Sequence, residues 1–341
     1  MQVGSYHSPQ IPAWLKAVDG KFPFAFQAAY CRYIHEHKGD AMLFFHDPES
    51  RAILPVQVMA RKLLTLGQLQ FPPMREGEAL PAEEEAAFWK RFLKLQKRRR
   101  DFHRLSQPPT WCVFASVPEG AKAIPFGSYR INLQEEEADI FARFQSRYRS
   151  YVRSAERKGA EIRYGFEELE ALHGLHRKTM ERAGAWVEPL TDLEELYDLV
   201  GESMALCAVV YLDGEPQGGL FVLHTTQGAY YLHGGSGDPK HNGLVKYLHW
   251  EVMKQMKAKG VKLYDFVGAR LTPQEGRPYQ GVQTFKARFG SELHEGFLWK
   301  MDLAPARCKA FDTALKVKLK LRGGKPFADI IDQEFPRIPQ A

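Results

Sequence analysis

Cysteine is scarce in this chain, and the few residues that occur are far apart. The 341 residues include four cysteines, none of them in the Cys-x-x-Cys spacing of zinc sites and redox motifs. Disulfides persist in oxidising compartments, whereas unpaired thiols are typical of reducing ones. We therefore expect free thiols, a reducing compartment and no metal site. The four residues are Cys31, Cys112, Cys207 and Cys308.

Long apolar runs are also missing. No stretch approaches the ~18 consecutive apolar residues that a membrane-spanning helix needs. The first residues, MQVGSYHSPQ, lack the apolar core of a signal peptide. Low-complexity tracts are absent as well. These absences predict a cytoplasmic protein with no transmembrane segment.

What is present is a long, basic chain that is rich in aromatic residues. Its length is more than one hydrophobic core usually organises, so we expect two domains. Hydrophobic residues make up 44% and aromatic residues 12%, which is enough for well-packed cores. The net charge of +6 suits an anionic partner, such as nucleic acid, a nucleotide, phospholipid or an acidic precursor.

Two segments, one in each half of the chain, share a hairpin pattern. In the first, AMLFFH leads through DPE to AILPVQVM; in the second, CAVVYL leads through DGE to GGLFVLHT. An apolar run, a turn containing Asp with Pro or Gly, and a second apolar run predict a β-hairpin. The turns begin at Asp47 and Asp213, and their repetition indicates a duplicated domain.

Helical patterns lie between and after the hairpins. One basic helix covers EEEAAFWKRFLKLQKRRRDFHRL, and another is predicted over Ala138–Lys158 with Gly159 as its cap. A later helix over Leu244–Ala258 is capped by Gly260. The tail PARCKAFDTALKVKLKLRGG reads as a basic amphipathic helix, with Pro305 near its start and Gly323 as a cap just past its end. The acidic run before Ala138 marks the predicted boundary. We expect a first domain over residues 1–135, a second over 136–305, and a basic C-terminal helix and tail over 306–341.

The stretch from Gly260 to Gly290 carries the strongest indication of chemistry. It predicts a buried strand over Val261–Val267, a polar loop and the entry of a second strand. Asp265 falls at the end of the first strand, and Lys286 stands among aromatic residues. Charged groups at strand ends are common where an α/β scaffold does chemistry. An ordinary strand and an exposed lysine would give the same pattern.

Taken in order, several motifs resemble those of a known family. The chain contains RSYVRSAERKG, TMERAG, VVYLDGEPQGGLFVL, GAYYLHGG, LHWEVMKQMKAKGVKLYDFVGA and FKARFG. This order resembles the FemABX-like acyltransferases of the GNAT superfamily. The resemblance covers roughly Phe126–Leu303 well, and the first half looks like a more diverged domain. The combined order is specific for the superfamily, whereas no single motif is.

The resemblance implies a fold and an activity. The implied fold is α/β (α+β), with two GNAT-like domains, each a mixed twisted sheet flanked by helices, and a cleft between or beside them. The implied activity moves an aminoacyl group from aminoacyl-tRNA to an amine of a peptidoglycan precursor, nucleotide- or lipid-linked, with peripheral membrane contact. No cofactor is expected beyond the donor. The long helical arm of some family members is not apparent in this sequence.

Two other functions remain open at this point. One is an acyl-CoA-dependent N-acyltransferase acting on a sugar or small-molecule amine, since related proteins of this fold use acyl-CoA. The other is a non-catalytic, basic nucleic-acid-binding protein on a GNAT scaffold, because fold does not fix function. GNAT enzymes that use acetyl-CoA carry R/Q-x-x-G-x-G/A before a helix. The corresponding Lys240–Val245 keeps the basic residue and the first glycine but lacks the second small residue, which favours a tRNA-borne donor.

Three residues are catalytic candidates. The resemblance assigns Lys286 to the oxyanion of the tetrahedral intermediate, a role worth on the order of 10²–10³ in rate. Asp265 and His233 are candidates to accept the proton of the attacking amine. Each has a structural alternative, because strand-end aspartates often accept backbone N–H bonds and core histidines are often tied to the backbone. His233 is expected to share one face of a strand with Tyr231.

The candidates for substrate binding form two groups. The loop over residues 234–243 offers glycines and a helix N-terminus, which suit an anion. Arginines suit phosphate or carboxylate groups, and one arginine row shares a helical face, although local salt bridges on a solvated face would explain that row equally well. The predicted binding residues are Tyr231, Lys240, Asn242, Gly243, Tyr247, Arg149, Arg153 and, by the resemblance, Arg182.

Overall fold

The computed structural model describes residues 1–237, 242–272, 278–321 and 328–338, in which strands and helices are interspersed. The strands are β1 (Gln2–Gly4), β2 (Ala41–Asp47), β3 (Ala52–Ala60), β4 (Thr65–Leu69), β5 (Met74–Arg75), β6 (Glu78–Ala79), β7 (Arg104–Ser106), β8 (Lys122–Asn132), β9 (Glu161–Tyr164), β10 (Ala205–Leu212), β11 (Glu215–His224), β12 (Ala229–Ser236), β13 (Leu263–Asp265), β14 (Ala269–Arg270) and β15 (Glu292–Asp302). The helices are α1 (Ala13–Lys16), α2 (Ala28–Glu36), α3 (Ala82–Arg99), α4 (Glu137–Arg143), α5 (Ser146–Arg157), α6 (Leu169–Ala183), α7 (Leu190–Val200), α8 (Asn242–Ala258), α9 (Pro278–Ala287), α10 (Pro305–Leu321) and α11 (Ile330–Glu334).

The same structural unit occurs in both halves of the chain. In the first half, the hairpin β2–β3 is followed by β4, antiparallel to β3, and α3 then leads to β7, which is parallel to β4. In the second half, β10, β11, β12, α8 and β13 repeat this order and these strand directions. Both predicted hairpins are therefore confirmed. The repetition gives a duplicated fold of mixed α/β type, with mixed sheets, as the resemblance implied.

One strand connects the two halves into a continuous sheet. β15 pairs with β8 along its length and with β7 at Met301 and Asp302. The strand order is β1-β2-β3-β4-β7-β15-β8-β13-β12-β11-β10-β9. β8 precedes the predicted boundary at residue 135 but pairs with β13 and β15, which follow it. The domain limits given above stay a prediction.

Both faces of the second-half sheet are buried. Along β10, Leu206, Ala208 and Val210 lie in one hydrophobic cluster with residues of α4, α5 and α8. Cys207 and Val209 alternate with these residues along the strand, and they lie in a second cluster with residues of α2, α6 and α7. Cover on both faces explains why this strand reads as a continuous apolar run rather than an alternating one.

The helix predicted over Ala138–Lys158 is two helices in the structure. α4 ends at Arg143, Phe144 has an extended backbone with ψ of 139°, and α5 begins at Ser146. The break turns Phe144 into the core, where its ring centroid lies 5.1 Å from that of Phe289. Burial of this aromatic ring outweighs the continuation of the helix.

The stretch after Gly260 also differs from its prediction. The strand is limited to β13, and α9 occupies the place where a second strand was expected. Phe285 and Phe289 pack against the cluster beneath α8, and their four-residue spacing is helical. Lys286 is therefore a buried side chain on a largely exposed helix, and it does not stand at a strand entry.

The C-terminal segment packs back onto the sheet. α10 begins at Pro305, as predicted, while the expected cap at Gly323 lies outside the described residues. Arg104 of β7 forms ion pairs with Asp302 and Asp312, which hold the first turns of α10 against the sheet. None of the helices that the structure describes is long and apolar enough to cross a membrane.

Candidate active site

Lys286 is a buried cation that faces backbone carbonyls. Its Nζ donates hydrogen bonds to the carbonyl oxygens of Val267 and, at 2.7 Å, Gly268. Burial lowers the pKa of Lys286 to about 8, against the opposing charge of Asp265. An ammonium group has three N–H donors, and two are used here. Among the described residues, no group accepts the third.

Asp265 is fully buried and contacts the backbone of Val267, to which Lys286 also donates. Its carboxylate accepts hydrogen bonds from Ser128 Oγ, from Arg130 Nε at 2.8 Å and from the backbone N–H of Val267 at 2.8 Å. Val267 has a φ of +44°, which is unusual for a β-branched residue. These contacts favour the structural alternative for Asp265. Its assignment as a proton acceptor stays a prediction.

His233 points to the face of the sheet that α6 covers. There Nδ1 of His233 lies 2.6 Å from Oε1 of Glu188, and Nε2 of His176 lies 3.9 Å from Oε2. Nδ1 of His176 lies 2.9 Å from the carbonyl oxygen of Gly234. Burial would raise the pKa of Glu188, but the proximity and charge of His233, with a smaller contribution from His176, lower it to about 2. A carboxylate therefore lies between two imidazole rings.

Tyr231 and His233 lie on opposite faces of β12, so the expectation that they share a face is wrong. A β-bulge at Leu232 inserts one extra residue opposite β11. Such a bulge shifts the alternation of side chains by one position. Tyr231 consequently packs against α8, where its ring centroid lies 4.8 Å from that of His249, and its burial raises the pKa to about 12.

The segment that leads into α8 is described only in part. Lys240 lies outside the described residues, and Asn242 is the first residue of α8. Gly243 adjoins α5, since a Cβ atom there would lie 3.3 Å from Cβ of Tyr151. Tyr247 is half-buried and packs against the cluster beneath α8, and burial is the main cause of its raised pKa. Gly243 thus permits close packing of two helices.

Arg182 is exposed at the end of α6. Its Nη2 donates to Oγ1 of Thr179 and to the carbonyl oxygen of Ser236, both at 3.0 Å. Together with Lys178, Glu181 and Ser236 it lines an open depression of about 510 Å³. The guanidinium keeps further N–H donors for an anionic group.

Arg149 and Arg153 are engaged within the protein. Nη1 of Arg149 donates to the carbonyl oxygens of Ala142, at 2.8 Å, and Phe144, which are left without partners at the end of α4. The guanidinium of Arg153 lies 5.6 Å from the centroid of the Phe141 ring. These contacts join α4 to α5, and a binding role for the two arginines stays a prediction.

The structure adds a cation that the sequence analysis missed. Lys246 of α8 is only 8% exposed, and its Nζ lies 5.4–5.8 Å from the ring centroids of Phe285, Tyr148 and Tyr151. Burial, together with the positive charges of Arg288 and Arg147, lowers its pKa to about 8. No acid pairs with it among the described residues. A lysine in an amphipathic helix usually faces solvent, so its sequence context gave no signal of burial.

Comparisons with known proteins place these residues in a defined class of domain. Residues 142–286 match the model of the GNAT acetyltransferase domain. No curated protein sequence matches the chain. The matched range includes Arg182, His233, Lys246 and Lys286, but it leaves the first half of the chain unassigned.

Several solved structures share the fold at low sequence identity. FemX has a TM-score of 0.62 at 13% identity and covers 82% of this chain and 92% of its own. The C-terminal domain of a protein from Agrobacterium fabrum, described as a lysylphosphatidylglycerol synthetase, has a TM-score of 0.52 at 12% identity. The match covers 89% of this chain and 95% of that domain. L-PGS from Bacillus licheniformis has a TM-score of 0.51 at 13% identity, and the match covers 88% of this chain and 93% of that structure.

These findings define the class of the protein. The chain has a GNAT fold that it shares with FemX over most of its length, and the order of motifs implied such a fold. It contains an acyltransferase domain, and acyltransferases of this fold join an acyl donor to an amine acceptor.

Proposed function

We propose that this chain is a cytoplasmic aminoacyltransferase that moves an aminoacyl group from aminoacyl-tRNA to an amine of a peptidoglycan precursor. The donor and acceptor classes rest on the resemblance to the FemABX-like enzymes. The observation that carries the proposal is the buried, unpaired ammonium of Lys246 beside Arg147 and Arg288. This group of three cations is called the cation cluster below.

The cation cluster suits a phosphate-bearing donor on energetic grounds. A buried ammonium without an acid partner is unfavourable, because it has lost its hydration and gained no opposite charge. A phosphate group would supply that charge, and arginines bind phosphate through paired N–H donors. The donor's phosphates are therefore proposed to bind between α5, α8 and α9.

Lys286 supplies the chemistry in this proposal. The amine attacks the carbonyl carbon of the aminoacyl ester, the ester oxygen leaves with its electron pair, and the proton that the amine loses passes to that oxygen. The oxyanion formed between these events would accept the third N–H of Lys286, whose other two N–H groups are held by backbone carbonyls. Phe285 precedes Lys286 on α9 and contacts the cation cluster, so donor binding and oxyanion stabilisation share one helix.

Acyl-CoA is the second candidate donor, favoured by the match of residues 142–286 to a GNAT acetyltransferase domain. Its pyrophosphate would engage the same cation cluster. The two donors differ in the number of phosphates that can contact the protein. Binding of tRNA should therefore weaken much more steeply with salt than binding of CoA.

The test is product analysis by mass spectrometry. The full chain is incubated with charged tRNA or with acyl-CoA, each with a panel of nucleotide-linked, lipid-linked and small-molecule amines. We expect aminoacyl transfer from tRNA to a peptidoglycan precursor. Transfer from acyl-CoA alone would establish the second candidate, and no transfer from either donor would contradict both.

A matched pair of variants tests the role of the cation cluster. Lys246→Met should raise the KM for the donor about tenfold or more, since each lost charge-assisted contact is worth roughly 1.5–3 kcal/mol. Lys254→Met, on the same helix, removes a lysine that already pairs with Glu251 at 2.7 Å and should leave the KM unchanged. Equal effects of both variants would refute a specific role for Lys246.

A further inference from the structure

A second polar site lies on the α6 side of the sheet and has no part in the proposed chemistry. It combines His176 of α6, Glu188 of the loop before α7, and His233 of β12. One ligand atom from each residue lies within 4.8 Å of the other two. Three ligands about 2.0–2.2 Å from a tetrahedral zinc ion would be separated by about 3.4 Å. The observed distances of 2.6 and 3.9 Å to Glu188 lie on either side of that value.

The hydrogen-bonding pattern fixes the tautomer of the neutral His176 ring. Its Nδ1 lies 2.9 Å from the carbonyl oxygen of Gly234, which can only accept, so Nδ1 carries the proton of the neutral ring. Nε2 then presents a lone pair toward the carboxylate of Glu188. Two facing acceptors repel each other unless a cation lies between them. Histidines that ligate metals almost always donate their other N–H to a carbonyl or carboxylate, as this one does.

The carboxylate of Glu188 is also incompletely satisfied. Its Oε1 is inaccessible to solvent and receives no well-directed hydrogen bond, although Nδ1 of His233 lies 2.6 Å away. The backbone around Glu188 is held in place, since its carbonyl oxygen lies 2.8 Å from Nε2 of His173. A buried carboxylate oxygen whose closest partner is poorly directed is costly, and a metal ion between the two atoms would satisfy both.

Two features of β12 serve to build this site. The bulge at Leu232 turns His233 toward α6. Gly235 lets α6 come into contact with the strand, because a Cβ atom there would lie 2.3 Å from the backbone nitrogen of His176. Without either feature, the two imidazoles could not reach one carboxylate.

We propose that His176, Glu188 and His233 bind one zinc-class divalent metal ion. Two imidazoles and one carboxylate are a ligand set that zinc accepts, and three protein ligands leave a fourth position for water or a substrate atom. No cysteine pair marks this site, and its three residues are distant in the sequence, so the sequence predicted no metal. The ion would fasten the loop between α6 and α7 to β12, on the opposite face of the sheet from Lys246.

The experiment measures metal binding itself and does not depend on transfer activity. The full chain, stripped with a chelator, is titrated with Zn²⁺ by calorimetry and with Co²⁺ by visible absorption. We expect one ion per chain and the intense visible bands of four-coordinate Co²⁺. His176→Gln, Glu188→Gln and His233→Gln should each weaken Zn²⁺ binding at least 100-fold.

Controls separate a ligand role from a structural one. His35→Gln removes one ring of the His7–His35 pair, whose centroids lie 4.1 Å apart, and should leave Zn²⁺ affinity unchanged. His233→Cys replaces one zinc ligand by another and should retain binding within about tenfold, whereas a purely structural histidine would not be rescued. Absence of stoichiometric binding in the parent protein would overturn the proposal. Loss of turnover in His233→Gln without any metal binding would assign a proton-transfer pair instead.

Discussion

Lys286 combines a catalytic assignment with a structural one. Lys286→Ala should lower kcat by about 10²–10³ if the third N–H stabilises the oxyanion. It should also lower the free energy of unfolding by about 1–3 kcal/mol, because two buried carbonyl oxygens lose their donor. Turnover at saturating substrate and denaturant unfolding, measured on the same preparation, separate the two effects. Normal turnover in a destabilised variant would leave only the structural role.

Lys246 should make stability depend on pH in an unusual direction. Its pKa is about 8 in the folded chain, against about 10.4 when unfolded. Between these values the unfolded chain binds more protons, so stability rises with pH across this window, and below pH 8 the charged lysine destabilises the fold. Lys246→Met should therefore stabilise the protein at pH 7, by up to about 3 kcal/mol. That gain should disappear by about pH 10.5.

Urea unfolding at the two pH values tests this expectation. Lys254→Met is the control, since Lys254 is partly exposed and paired with Glu251, and its effect should not change over the same range. If both variants respond alike, the pH dependence does not come from the buried ammonium.

At the level of secondary structure, the contact between α6 and β12 depends on one glycine. Gly235→Ala would place a Cβ 2.3 Å from the backbone of His176, so α6 must move away from the strand. We expect a loss of about 2–4 kcal/mol, in the range of other severe packing changes. Gly174→Ala lies on the same helix with no atom near its Cβ and should stabilise by roughly 0.5–1 kcal/mol. Thermal melts of the two variants measure the difference in stability. Equal melting temperatures would contradict a close contact between α6 and β12 at Gly235.

The elements that the sequence predicted well are those with local signals. The turn at Asp213 and Gly214 has positive φ at both positions, which the Asp-Gly pair anticipates, and Gly159 and Gly260 follow their helices with φ of +70° and +75°. The break at Phe144 has no such signal, because it depends on rings that come from distant parts of the chain. Local chemistry determines turns and caps, whereas the core decides where a helix bends.

The residues of the candidate site were also predicted only in part. Lys286 was identified through the order of motifs, but its carbonyl partners and its helix were not. Lys246, His176 and Glu188 were missed, since each gains its meaning from neighbours on other elements. The face of His233 was missed because a single inserted residue in β12 reverses it. Distances between elements, rather than residue types, were the missing information.

At the scale of the whole molecule, the two halves should unfold together. β15 pairs with β7 and β8, and Trp299 of β15 packs on Trp89 of α3, with ring centroids 5.0 Å apart. Calorimetry should therefore show one transition, with equal calorimetric and van't Hoff enthalpies. Two separate transitions would indicate that the halves are independent. Trp299→Ala should lower the melting temperature without splitting the transition, since it removes a side chain buried between elements of both halves.

The late position of β15 in the chain also bears on synthesis. On a ribosome, β7 and β8 emerge long before the strand that lies between them. Until β15 arrives, each presents an open row of backbone N–H and C=O groups, which can pair with another nascent chain. We therefore expect shielding of this seam to protect the newborn protein, and a chaperone that covers exposed strand edges should raise its yield during that interval.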